Sequence, residues 1–365
     1  MDTFHEKLDQ IVKNLSYIEG KRVNVGKFLR KINDSFEIGP DGEVADVQTI
    51  NKCGQQMKDD VSVVGIDGGM VKHSLHGLDL MLLRATAVNF VYSKGNLKDV
   101  FYYPSANSFP QPKVIVESLS DVEFNLCTNV ERQIVEVTTA VEAMEKMKPD
   151  IMLMDGSVLP QYTFKPDKSE LGESYKQLIR AYKDLYRKAK GMKVTLAGVI
   201  EDSRSSKFAE IVNRKIMDGM RTEVSKELKA ILEKTKDSNL LFYTLERGER
   251  TCVFSYFSGG NGFIKEFKDL EKSFYSFYIK TVDFDRPLRG DFLSNGNPLD
   301  TVNEITPVLL GTCGHSGYGL PAVLIEADQR AKLSDKDMEM FYADLVSRVG
   351  NVSSLFKMRR EMRPF

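Results

Sequence analysis

VSVVGIDGG (61–69) and DIMLMDGS (150–157) decide the fold of this chain. In each, a run of apolar residues leads directly into Asp followed by Gly, as Asp67-Gly68-Gly69 and as Asp155-Gly156. Both runs read as buried strands, the first ending on its Gly pair. A carboxylate leaving a buried strand is costly unless something compensates its charge. Gly beside it lets the backbone turn and leaves room for a ligand. Two such Asp residues on neighbouring strands could share Mg²⁺ or Mn²⁺, because hard divalent ions prefer carboxylate oxygens and water. A plain Asp-Gly turn capping a strand is the alternative for either copy alone. A phosphate loop of the actin-like ATPase kind is the alternative for Asp67-Gly68-Gly69.

Working outward, HGLDLMLLRATAVNFVY (76–92) suggests one or two strands antiparallel to the first, through a turn near Lys72 to Gly77. MKVTLAGVI (192–200) is a third strand of the same apolar kind, with EDSRSSKF (201–208) as its polar exit. YYPSANSFPQP (102–112) reads as loop. Helical periodicity covers residues 1 to about 34, with Phe4, Leu8, Ile11, Leu15 and Ile18 on one stripe. It returns from Asn129 to Met147, with Thr128 or Asn129 as N-cap, and over Ser169–Lys190 and about 208–234. Residues 240–257 read as a hairpin turning at Arg247-Gly248-Glu249, 274–282 as a strand, and 300–310 and 321–349 as helices. Hairpins first and strand–helix alternation afterwards predict a mixed α/β architecture.

Composition excludes several classes. Lys+Arg is 51 against Asp+Glu 52, so the net charge of −1 offers no global attraction to polyanions, and any such site must be a local patch. No stretch reaches the roughly eighteen uninterrupted apolar residues of a membrane span. The first residues lack the basic and apolar regions of a signal peptide. Cys53, Cys127, Cys252 and Cys313 show no CxxC spacing, so neither a disulfide framework nor a zinc site is indicated. A cytoplasmic, membrane-free protein is expected.

On the helix between the two Asp strands, Arg132 and Glu136 are i,i+4 neighbours. Glu136 is the best candidate for a further metal ligand and Glu131 the reserve; Glu142 and Glu145 read as solvated. On the next helix Lys176, Arg180, Lys183, Arg187 and Lys190 fall on one stripe, opposite Leu178, Ile179, Tyr182, Leu185 and Tyr186. That stripe is equally a track for a phosphate backbone or a solvated face. Arg204 and Lys207, after the third strand, are the better phosphate candidates.

GIDGG, R-x-x-x-E on the following helix, MDGS and GVIEDSRSSKF, in this order, make the chain similar to NurA-type nucleases. GYGLPAVLIEADQRAKLS (317–334) resembles the family's C-terminal motif. The resemblance spans roughly residues 60 to 335 through short motifs. It implies a ribonuclease H-like mixed sheet flanked by helices, with an N-terminal helical extension over 1–55, a nuclease domain over 56–335 and a C-terminal helix and tail over 336–365. It implies Asp67, Glu136, Asp155 and Asp328 as metal and catalytic residues, with Tyr318 catalytic beside them. It also implies a site for two Mn²⁺ or Mg²⁺ ions. The activity implied is exonuclease and single-strand endonuclease cleavage of DNA during end resection at double-strand breaks, by a homodimer working with a HerA-type hexameric ATPase. Asp328 stands where the family has a histidine, with His315 as the other candidate for that role. Glu201 stands where relatives tend to have Lys, and Lys207 or Arg204 is the candidate substitute. Arg180, Lys183 and Arg187 join Arg204 and Lys207 as expected DNA contacts. Two other functions stay open: an actin-like ATPase or phosphotransferase, with Ser258-Gly259-Gly260-Asn261-Gly262 as a weak adenosine site, and a catalytically weakened DNA-binding subunit.

Overall fold

Val61, Val63, Val64 and Ile66 are buried, as the apolar run predicts, and the strand they form lies within a sheet of one of two compact units. The computed structural model describes residues 2–54, 56–75, 78–117, 119–160, 169–220, 223–257 and 265–349. Unit 1 comprises Met1–Lys58 and Ala197–Ala322; unit 2 comprises Asp59–Leu196 and Val323–Phe365.

Unit 1 contains α1 (Asp2–Ile32) and β1 (Ile50–Lys52). Unit 2 contains β2 (Val61–Ser74), β3 (Asp79–Ser93), β4 (Asn96–Tyr103), β5 (Gln111–Ile115), α2 (Asp121–Met147), β6 (Ile151–Asp155) and α3 (Glu170–Met192). β7 (Thr195–Ile200) begins in unit 2 and passes into unit 1 at Ala197. Unit 1 continues with α4 (Lys207–Lys215), α5 (Glu223–Leu232), α6 (Asp237–Leu241), β8 (Glu249–Thr251), β9 (Phe254–Ser255), β10 (Phe274–Ile279), β11 (Leu288–Leu293) and α7 (Pro298–Thr312). α8 (Ala322–Ala331), in unit 2 from Val323, and α9 (Asp335–Val349) follow.

In unit 2 the strand order is β6-β2-β3-β4, with β5 also on β3. β2 and β3 form a long antiparallel pair from Val61↔Tyr92 to Ser74↔Asp79, and β6 lies parallel to β2 with Ile66 opposite Met154. An antiparallel meander with a parallel strand added beside its first member, reached through a helical crossover, is the ribonuclease H-like mixed sheet expected. α3 buries Leu178, Ile179, Tyr182, Leu185 and Tyr186, the face predicted to be core. In unit 1 the order is β1-β8-β10-β11-β7, with β9 on β10. Val25 and Leu29 of α1 enter that unit's core, whereas Phe4, Leu8, Ile11, Leu15 and Ile18 remain exposed.

Several local expectations are corrected. β2 does not stop at its Gly pair: Gly68 and Gly69 stay in register with Ala85 and Arg84, because a Gly pair inside a fully paired ladder loses nothing but side chains. α2 begins at Asp121, not near Asn129, since Ser120 and Glu123 close a capping box. Residues 240–257 are not a hairpin. Leu240 and Leu241 pack into the unit 1 core as part of α6, Gly248 turns at φ +80°, and β8 and β9 each pair with β10. The stretch predicted as one helix over 208–234 is divided into α4 and α5. That over 321–349 is divided into α8 and α9, where the Ser334 amide and hydroxyl bond Asp337 Oδ2.

Candidate carboxylate site

The parallel register of β2 with β6 places Asp67 and Asp155 one residue beyond the paired Ile66 and Met154, side by side at neighbouring strand ends. The two carboxyls share a side-chain hydrogen bond, which needs one proton between them. Asp67 is buried and Asp155 half-buried. The Gly68 amide donates to Asp67 Oδ1 at 2.7 Å.

α2 supplies the third carboxylate. Glu136 is buried, and Arg132 one turn earlier donates through Nη1 to Glu136 Oε2 at 2.8 Å and to the Gly68 carbonyl at 3.0 Å. Gly68 is glycine for a steric reason: a Cβ there would lie 3.0 Å from Glu136 Oε2. Glu131, the reserve candidate, is engaged elsewhere, paired with Lys113 at 2.5 Å and hydrogen-bonded by Ser174. Glu142 accepts from Tyr103 at 2.8 Å, and Glu145 pairs with Lys188.

α8 lies close against β2 because Gly65 and Gly69 carry no side chains. A Cβ on Gly65 would meet the Val323 carbonyl oxygen at 2.7 Å, and one on Gly69 the Ala331 oxygen at 2.1 Å. This packing brings Asp328, exposed on α8, near enough for its charge to act on Asp67.

Burial pushes the Asp67 carboxyl above the usual range; Asp328 adds to this, while the Gly68 amide and Arg132 oppose it. Burial likewise pushes Glu136 up to about 8, with Asp67 and Asp155 adding repulsion that Arg132 only partly offsets. Both shifts make a bound cation favourable, because it would offset the cost of burying negative charge. Among the described residues no three Asp, Glu, His or Cys side chains surround a common point for a metal ion; Asp67 and Asp155 bond each other, and Glu136 bonds Arg132. The donor chemistry nevertheless suits a hard divalent ion: oxygen ligands, mutually repelling, partly out of water. An orphan polar atom adds to the fit. Thr86 stands directly opposite Asp67 on β3, and its hydroxyl is buried without a hydrogen-bond partner among the described residues. Asp67, Asp155, Glu136 and Asp328 would hold the ion.

Of the remaining predicted residues, Tyr318, His315, Arg204 and Lys207 belong to unit 1, and the α3 cations to unit 2. Tyr318 belongs to unit 1, where its hydroxyl donates to Glu201 Oε1 and Oε2 at 3.0 and 3.1 Å. Together they line a small cavity with Asp202, Asp285 and Arg286. His315 is exposed and bridges Tyr318. Arg204 and Lys207 line a second unit 1 cavity with Arg289 and Tyr256. Arg180, Lys183 and Arg187 are exposed on α3, with Arg187 engaged by Asp184. Thr86, Arg289 and Tyr256 had no motif to betray them; only strand pairing and packing bring them to these places.

The sequence matches the NurA domain over residues 61–333, from the first residue of β2 to just beyond α8. The chain belongs to the NurA family. The matched span contains Asp67, Glu136, Asp155, Tyr318 and Asp328. In structure the chain is similar to the NurA nuclease from Sulfolobus solfataricus, at 16% identity over 96% of this chain and 97% of that one, with a TM-score of 0.60. It is also similar to a NurA crystallised with manganese, at 11% identity over 95% and 99% of the two chains, with a TM-score of 0.52. Another NurA crystal structure gives 12% identity over 95% and 98%, with a TM-score of 0.51. At such identities the likeness is one of NurA fold. No curated protein matches the sequence. No described helix is long and apolar enough to cross a membrane.

Proposed function

We propose that this NurA-family chain is a metal-dependent deoxyribonuclease, hydrolysing phosphodiester bonds as an exonuclease and single-strand endonuclease in DNA end resection. The observation that supports it is the cluster of Asp67, Asp155 and Glu136, with Asp328 beside it: three buried or half-buried acids gathered at neighbouring strand ends, where burial pushes the Asp67 and Glu136 carboxyls up and a cation would relieve the cost. The relative crystallised with manganese favours Mn²⁺, with Mg²⁺ as the other hard ion for this donor set. When bound, a pair of divalent ions supplies an activated water and charge stabilisation at the scissile phosphate. The protein's part is to hold Asp67 through the Gly68 amide and Glu136 through Arg132, beside the place where the Asp67–Asp155 hydrogen bond would give way to the cation. Tyr318 is assigned to position substrate, with Arg204, Lys207 and the α3 cations Arg180, Lys183 and Arg187 contacting phosphates. The chain is assigned, on its family, to a homodimer that works with a HerA-type hexameric ATPase in the cytoplasm at double-strand breaks.

The phosphate-loop alternative is disfavoured by β2, which carries Gly68 and Gly69 as paired strand residues and not as a turn. Its second element, residues 258–262, lies outside the described residues. Asp328 and Glu201 keep the weakened DNA-binding subunit as the second reading.

The test incubates 5′-labelled single- and double-stranded DNA with the protein and Mn²⁺ or Mg²⁺, alone and with the ATPase, beside an ATP hydrolysis control. Asp67→Ala and Asp155→Ala should each abolish metal-dependent cleavage while leaving the fold intact, since removing one acid from a repelling cluster does not weaken the metal-free protein. Near-normal cleavage by either variant would overturn the shared-metal site; DNA binding without cleavage by the unaltered protein would select the second reading.

A further inference from the structure

A second chemistry-bearing pocket lies in unit 1, with a volume of about 290 Å³ between the exit of β7, the start of α4, Tyr256 and β11. Three cations line it. Arg204 is exposed and has no ion-pair partner among the described residues. Lys207 is half-buried, and its ammonium donates to the Tyr256 carbonyl, with no carboxylate partner among the described residues. Arg289 has a side chain only 11% exposed. Its Nε donates to Asp291 Oδ1 at 2.8 Å and its Nη2 to Ser276 Oγ at 3.3 Å, leaving Nη1 without a hydrogen bond among the described residues.

Lys207 and Arg289 both sit against the Tyr256 ring, 5.4 and 5.3 Å from its centre, so two positive groups share one aromatic ring. Burial, then the neighbouring Arg289, pulls the Lys207 ammonium down to about 8, with Asp291, Glu210 and Glu43 opposing. Glu210 also lines the pocket, but it is exposed and accepts from Ser206. The backbone at the start of α4 is already committed, because the Phe208 and Ala209 amides donate to Asp237 at 3.0 and 2.9 Å.

We propose that this pocket binds a terminal phosphate monoester of a DNA strand. A phosphodiester carries one negative charge, whereas a terminal phosphate carries close to two and presents three acceptor oxygens, which matches three converging cations. The volume suits a phosphate with its first sugar and not a duplex segment. This inference rests on the DNA-substrate reading and makes the end chemistry of the strand the feature recognised.

The experiment measures binding by fluorescence anisotropy, in EDTA so that no cleavage intervenes. Three single-stranded oligonucleotides of one sequence carry a 5′-phosphate, a 3′-phosphate or hydroxyls at both ends. One phosphorylated oligonucleotide should bind about tenfold tighter than the hydroxyl-ended one, and which of them does so names the end recognised. Inorganic phosphate should erase that preference by competition. Lys207→Met should remove the preference, and so should Arg204→Ala, an exposed change that leaves the core untouched. Asp67→Ala should retain it. Equal affinity for all three oligonucleotides, or a preference that survives Lys207→Met and Arg204→Ala together, overturns the proposal. A protein that cleaves DNA without discriminating ends defeats this inference alone; one that discriminates ends but never cleaves defeats the nuclease reading alone.

Discussion

Gly69→Ala probes how α8, and Asp328 upon it, is held against β2. The new Cβ would lie 2.1 Å from the Ala331 carbonyl oxygen and 2.8 Å from its carbon, both backbone atoms that no side-chain rotation can move aside. Ordinary carbon contacts begin near 3.5 Å, so the last turn of α8 must retreat by roughly 1 Å or more. Val323, Leu324, Ala327 and Ala331 are buried along that helix, so the retreat loosens a packed face. Overpacking of this kind costs about 1–3 kcal/mol, and the upper end applies where the obstacle is backbone. At about 2–4 °C per kcal/mol, the Tm should fall by roughly 5–10 °C. Asp328 lies one helical turn before Ala331 and moves with it. A misplacement near 1 Å at a reacting centre costs about a hundredfold in rate, so Mn²⁺-dependent cleavage should fall by about that factor. Thermal unfolding with and without Mn²⁺, and cleavage of labelled single-stranded DNA, read both effects. Gly191→Ala, in the last turn of α3 with nothing within 4 Å of its Cβ, is the control and should be neutral or slightly stabilising. If Gly69→Ala behaves like Gly191→Ala, the close seating of α8 on β2 is wrong.

Asp328→Ala should cut cleavage strongly and raise the Mn²⁺ concentration needed. Asp328→His should restore part of the activity, more with Mn²⁺ than with Mg²⁺, because imidazole nitrogen suits the softer ion; wild-type behaviour of both variants in either metal would remove Asp328 from the site. For Asp237, burial raises the carboxyl to about 6 although the Ala209 and Phe208 amides and Tyr278 favour its ionised form. An acid raised in the folded state binds more protons there than when unfolded, so its contribution to stability is greatest below about pH 4 and declines as pH rises to about 6. Asp237→Asn should remove that slope, seen as a urea-midpoint difference from wild type that changes between pH 4 and 7; a difference independent of pH would refute it.

Local sequence was enough to find the parts of this site that chemistry marks along the chain. Apolar runs ending in Asp-Gly announced β2 and β6 with Asp67 and Asp155, and the i,i+4 spacing tied Arg132 to Glu136 before any packing was known. The apolar face of α3 was equally legible, because helical periodicity is a property of one segment. Other features depended on partners distant in the chain. Whether Gly68-Gly69 ends a strand or continues it is decided by β3, which supplies hydrogen-bonding partners past both residues. Glu131 and Glu136 look alike in sequence, and only the placement of Lys113 and Ser174 removes the first from the cluster. Thr86 becomes a neighbour of Asp67 through strand register, and Arg289 a neighbour of Lys207 through packing on Tyr256. Residue type sets what a side chain can do; the register and burial that long-range contacts impose decide which of many identical side chains is in a position to do it.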